Sequence, residues 1–249
     1  MDGSEEWTTS LWIHVAALRR TVVWMLSFIA VSALLCFVNY DYLLSVLQIP
    51  LVDSNGLPRL KLVLLSPLEG IVSVMRISFW TGVVVSSPLW IWSLMRFISP
   101  GLHDRERRLT ISFLMTSLAF IVIGGAFAFF VTIPLANQYL LAFNQGIGIN
   151  LWSLERYLDY TLFLILANAI AFECGAIGIF AVRLGVVTAE TLSAKRRHAI
   201  LGAFILATIL TPPDVLTQLM LAIPLIALYE GLIIYAKFKT SERDPLSSD

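Results

Sequence analysis

Apolar residues run along this chain in long unbroken blocks. They do not form the one-sided stripe of a water-soluble helix or the alternation of a half-buried strand. A helix needs about 20 residues to cross a hydrocarbon core. Blocks of that order predict membrane spans at about 21–40, 71–94, 109–135 and 160–182, then two more at about 199–210 and 215–236. The fifth block is short for a crossing. A hairpin that thins the bilayer locally and a re-entrant pair both fit it. Pro88, Pro134 and Pro224 lie within or at the ends of spans, where a missing N–H bends a helix. The expected fold is an all-α membrane protein of six transmembrane helices, several of them proline-kinked, in a cupped, concave shape.

Span boundaries carry their own chemistry. Ser66-Pro67-Leu68-Glu69 reads as an N-cap, a proline at the first helical position and an acid in the first turn. Thr211-Pro212-Pro213-Asp214 repeats that device before the last span. The stretch from Asp41 to Ser66 is long and apolar in places, as a packed cap would be.

Composition supports a lipid solvent. Hydrophobic residues make up 58% and charged residues 14% of the 249 positions, against about 25% charged in soluble domains. Mean hydropathy is +0.82. Net charge is zero, which gives no reason to expect a nucleic-acid partner. The distribution of cations is more telling. Outside the spans, thirteen Lys and Arg fall in the alternate segments that include both termini, and three fall in the others. The positive-inside rule then puts both termini in the cytoplasm. This gives a cytoplasmic segment 1–20, a membrane domain 21–238 and a polar cytoplasmic tail 239–249. The first block, longer than an ordinary signal core and followed by further spans, reads as a signal anchor. Cys36 and Cys174 sit in apolar runs, as small buried hydrophobes would. His14, His103 and His198 lack ligand spacing, so no metal or cofactor is expected.

Few polar residues remain to carry function. Glu173 stands mid-span in Ala171-Phe172-Glu173-Cys174-Gly175. An acid at that depth costs about 2.5–3.5 kcal/mol to insert, so it should face protein or a wet cavity. It serves either as a functional polar site or as a carboxyl bonded to a neighbouring helix. Glu230, nearer an interface, suits a contact to a neighbouring helix. Arg76, one turn into its span, suits snorkelling. Glu69 and Asp214 are explained by capping. Glu106 lies in the basic run Arg105-Glu106-Arg107-Arg108. Its chemistry favours a solvated interfacial cluster, with an acid well placed near a helix N-terminus, over the other use open to a carboxylate there, gripping a guanidinium with both oxygens. A secondary transporter of a small solute is the alternative, although no repeated halves are visible. An intramembrane enzyme would need a nucleophile and base at depth, and no His or Asp lies within a predicted span. A membrane scaffold without a receptor role is the remaining possibility.

The segment Phe97-Ile98-Ser99-Pro100-Gly101-Leu102-His103-Asp104-Arg105-Glu106-Arg107-Arg108 resembles the signature of the TatC family, the large subunit of the twin-arginine protein translocase. His14-Val15-Ala16-Ala17-Leu18-Arg19 is similar to that family's opening motif. Leu47-Gln48-Ile49-Pro50-Leu51, Ser66-Pro67-Leu68-Glu69, Phe172-Glu173, Leu210-Thr211-Pro212-Pro213-Asp214, Ala222-Ile223-Pro224 and Tyr229-Glu230 resemble later segments, in order, over about residues 11–238. The resemblance implies a receptor for signal peptides with paired arginines in a bacterial inner membrane. It would act as part of an oligomer with single-span TatA- and TatB-type partners, exporting folded proteins on the proton-motive force. It implies signal-peptide binding at Glu106, Arg105 and Phe97, and a partner contact at Glu173. It also implies an outer-side motif of Pro50, Pro67, Glu69, Pro212, Pro213 and Asp214. Three positions depart from the family pattern. Ala17 replaces a second signal-binding glutamate, Trp92-Ser93 an aromatic-Gln pair, and Ser112 a proline.

Overall fold

A computed structural model describes the backbone of residues 3–51, 62–98, 104–211 and 214–243, with side chains over 15–51, 62–94, 96–97, 111–211 and 214–239. The chain is helical almost throughout. In order it forms α1 (Gly3–Val38), α2 (Tyr40–Gln48), a 3₁₀ turn (Ile49–Leu51), β1 (Leu62–Val63), α3 (Glu69–Val85) and α4 (Ser87–Ile98). Then come α5 (Asp104–Phe127), a π-helical segment (Ala128–Thr132), α6 (Ile133–Gln145), β2 (Trp152–Ser153), α7 (Leu154–Leu184), α8 (Ala189–Ala194), α9 (Arg196–Leu210) and α10 (Val215–Arg243).

Four stretches are long and apolar enough to cross a membrane: Val15–Val38, Ile111–Gln145, Leu154–Leu184 and Val215–Lys239. A fifth, Glu69–Val85 with Ser87–Leu94, is bent by 53°. The fifth predicted span, 199–210, corresponds to α9, 15 residues long. At 1.5 Å per residue that is about 22 Å, short of a core about 30 Å thick. Apolar side chains such as Leu26, Leu34 and Val122 are more than 60% exposed, as a lipid solvent allows.

Each proline has a local consequence. Pro88 follows the bend. It has no N–H to give Val84 O, the carbonyl four residues back; around the bend the Ser86 hydroxyl donates to Gly82 O at 2.7 Å and the Trp90 indole N–H donates to Val83 O at 3.1 Å. Pro134 follows the π segment, where the backbone widens ahead of the lost hydrogen bond. Pro224 lies inside α10, which continues past it. Gly185, with φ 77°, ends α7 in the left-handed conformation. Its own N–H reaches Val182 O, and the Val186 N–H reaches Ala181 O, the two bonds of a Schellman ending.

Two compact units emerge, one of residues 1–46 with 66–115, the other of 47–65 with 116–249. In the first, α1 packs on α3 and α4. A Cβ at Gly82 would lie 2.6 Å from the Ala33 backbone, so that contact depends on a bare glycine. Both Gly82→Ala and Gly202→Ala gain roughly 1 kcal/mol of helix propensity. Only Gly82→Ala forces backbone apart, so it should still lose a net ~1–2 kcal/mol. Gly202, with open space around it, should not lose stability. Thermal unfolding of both variants in detergent checks the contrast.

In the second unit, α7 is the central helix, packed by α9, α10 and the π segment. Pro50 and Leu51 are buried beside α6. β1 pairs in parallel with β2, Leu62 opposite Trp152, two residues of strand that the sequence pattern did not show.

Candidate functional site

Small residues let α5 and α7 approach closely. A Cβ on Gly124 would sit 2.7 Å from the Asn168 carbonyl, and one on Gly175 would sit 2.5 Å from the Phe120 ring. Such close backbone approach is how helices pack in lipid. It brings Ser117 on α5 to Glu173 on α7, and the buried Ser117 hydroxyl donates to Glu173 Oε1. The other oxygen, Oε2, is buried with no hydrogen-bond partner among the described residues. Glu173 is therefore held in place by one oxygen and keeps an acceptor free. Beside this pair, α5, α7 and α10 enclose an apolar groove of about 730 Å³, lined by Phe120, Phe127, Phe172, Ile179, Pro224 and Leu228 among others.

Two residues of the expected outer-side motif, Glu69 and Asp214, act as helix caps. Glu69 is 4% exposed, and its carboxylate accepts the Ser66 N–H at 3.2 Å, the return half of a capping box. Regular helix starts only at Glu69, so Ser66-Pro67-Leu68 forms a turn and Pro67 precedes the helix. Asp214 caps α10: Oδ1 accepts the Thr217 N–H at 2.8 Å and Oδ2 accepts the Thr217 hydroxyl. Thr211 belongs instead to the end of α9, its hydroxyl donating to Ala207 O. Pro212 and Pro213 lie outside the described residues.

Arg105 and Glu106 fall in the first turn of α5, and their side chains lie outside the described residues. Phe97 ends α4 half-buried. Ala17 is exposed on α1, within the same unit. Glu230 pairs with Arg196 at 3.0 Å, both about half exposed, the contact to a neighbouring helix that its depth suggests. Cys174 is exposed and Cys36 partly so; burial was the wrong expectation, because an apolar run in lipid gives no inward-facing stripe. Two polar partners escaped the sequence reading. One is Ser117. The other is the pair Thr208 and Gln218, where the Gln218 amide donates to the Thr208 hydroxyl at 2.6 Å between α9 and α10. A lone Gln in an apolar run was the available signal.

The family described as Sec-independent protein translocase protein (TatC) matches residues 13–224. The chain is 33% identical to the TatC protein of Helicobacter pylori over 90% of its own length and 86% of that protein's. It is also 33% identical to the TatC protein of Aquifex aeolicus, over 92% and 95% respectively. A crystal structure of the twin-arginine translocase receptor TatC is 32% identical and superposes with a TM-score of 0.75, over 91% of this chain and 99% of that one. The small-solute transporter alternative finds no support there. This chain belongs to the TatC family and is a multi-pass membrane receptor subunit of a bacterial-type Tat protein translocase.

Proposed function

We propose that this chain binds paired-arginine signal peptides on its cytoplasmic side through Glu106, Arg105 and Phe97, and engages a single-span partner helix through Glu173. The observation that carries the second half is the buried, unpartnered Glu173 Oε2. A buried acceptor without a donor costs about 1–3 kcal/mol. A polar group on an incoming helix relieves that cost and gains a hydrogen bond. Ser117 fixes the carboxyl for it. The apolar groove next to Glu173 suits a hydrophobic helix, whether the signal's core or the partner's span. For the signal site, the support is the match of the loop before α5 to the family, and the place of Glu106 in a helix's first turn, where an anion is favoured.

Expression in a bacterium that lacks its own receptor subunit tests the proposal. Restored export of a folded paired-arginine cargo, dependent on single-span partners, is the predicted result. Stable expression in the membrane with no export of any such cargo would refute it.

A further inference from the structure

We propose that the interface between α7 and the Ala128–Gln145 stretch, at the Leu154 end of α7, binds a short file of ordered water molecules inside the protein. Tyr157, Tyr160, Thr161 and Asn168 share one face of α7, at helical spacings of three, four and seven residues. Tyr157 to Asn168 covers about 16 Å of helix. Thr132, the last residue of the π segment, and Asn137 on α6 supply the other polar groups. Thr132, Thr161 and Asn168 are 0% exposed, and Asn137 and Tyr157 are 2% exposed.

Three of these side chains keep an atom without a protein partner. The Tyr157 hydroxyl has the Thr161 hydroxyl and the Asn137 amide as hydrogen-bonding neighbours, while the hydroxyls of Thr132 and Tyr160 and Asn168 Oδ1 have no hydrogen-bond partner among the described residues. Two bonds anchor the set: the Tyr157 hydroxyl donates to Leu47 O at 2.7 Å, and Asn168 Nδ2 donates to Leu164 O at 2.8 Å. Buried polar groups in folded proteins are almost always bonded, so a cluster of this density points to a ligand. Its chemistry is specified by the donors and acceptors. The side chains that line the interface end in hydroxyls and amides, which together offer both hydrogen-bond donors and acceptors, and none of them is charged. That suits a small neutral molecule that both donates and accepts hydrogen bonds, and water with two to four partners is that molecule. The widened π backbone next to Thr132 adds room. Nothing in this depends on the receptor reading.

Radiolytic hydroxyl footprinting of the full chain in lipid nanodiscs, in ¹⁸O-water, tests it. Bound water activated in place labels the side chains that touch it. Tyr157 should take up label despite its burial, as exposed Tyr42 does, while buried Phe172 should stay unlabelled. Thr161→Val, which keeps shape and removes one hydroxyl, should reduce the Tyr157 label, and Asn137→Leu with Thr161→Val should abolish it. An unlabelled Tyr157 would overturn the proposal. So would a Tyr157 label unchanged in Thr161→Val, which would then come from bulk solvent reaching an opened interface.

Discussion

Replacing Glu106 by Gln should weaken binding of a paired-arginine signal peptide by about ten- to a hundredfold, from the roughly 1.5–3 kcal/mol of a charge-assisted hydrogen bond. Glu106→Arg should stop export of such cargo altogether, since repulsion replaces attraction. In the proposed signal site the effect is large because Ala17 stands where the resemblance implies a second acid, which leaves one carboxylate for two guanidiniums. The same logic predicts a gain. Ala17 is exposed on α1, so a longer side chain fits there, and Ala17→Glu should tighten binding. Titrating labelled peptide against the purified variants in nanodiscs measures all three. Equal affinity in Glu106→Gln and the parent would take Glu106 out of the mechanism.

Glu173→Ala should cut crosslinking to the single-span partner by about five- to thirtyfold, the equivalent of roughly 1–2 kcal/mol for one or two hydrogen bonds in lipid. The variants rank in a defined order. Glu173→Gln keeps an acceptor beside Ser117 and should lose less. Ser117→Ala leaves the carboxyl but frees it to rotate, and should lose least. Site-specific crosslinking in membranes, scored against protein level, gives the ranking. A yield in Glu173→Ala equal to that of the parent would show that the partner reads shape alone.

The span pattern was legible because lipid demands long apolar blocks and internally bonded backbone. Asp214 as a cap and the bend near Pro88 followed from local chemistry in the same way. Tertiary contacts did not. Ser117 is one of many serines in apolar runs, and only the close α5–α7 approach at Gly124 and Gly175 makes it the partner of Glu173. Thr211 was assigned to the wrong helix because a threonine before two prolines looks like an N-cap whether it caps forward or bonds back. α8 was missed because six residues are too few to show a period, although Thr188, whose hydroxyl accepts the Thr191 N–H, was a readable start signal. The α1 start at Gly3 was missed because a polar, acidic lead-in carries no span signal.

The most direct measurement is photo-crosslinking of a signal peptide to probes placed at Phe97, His103 and Ala17 in intact membranes. A paired-arginine peptide should crosslink at all three from the cytoplasmic side, and a paired-lysine version should lose most of that signal, because a guanidinium binds a carboxylate through two parallel bonds and an ammonium does not. Equal crosslinking of both peptides, or none at these positions, would contradict a receptor built around Glu106.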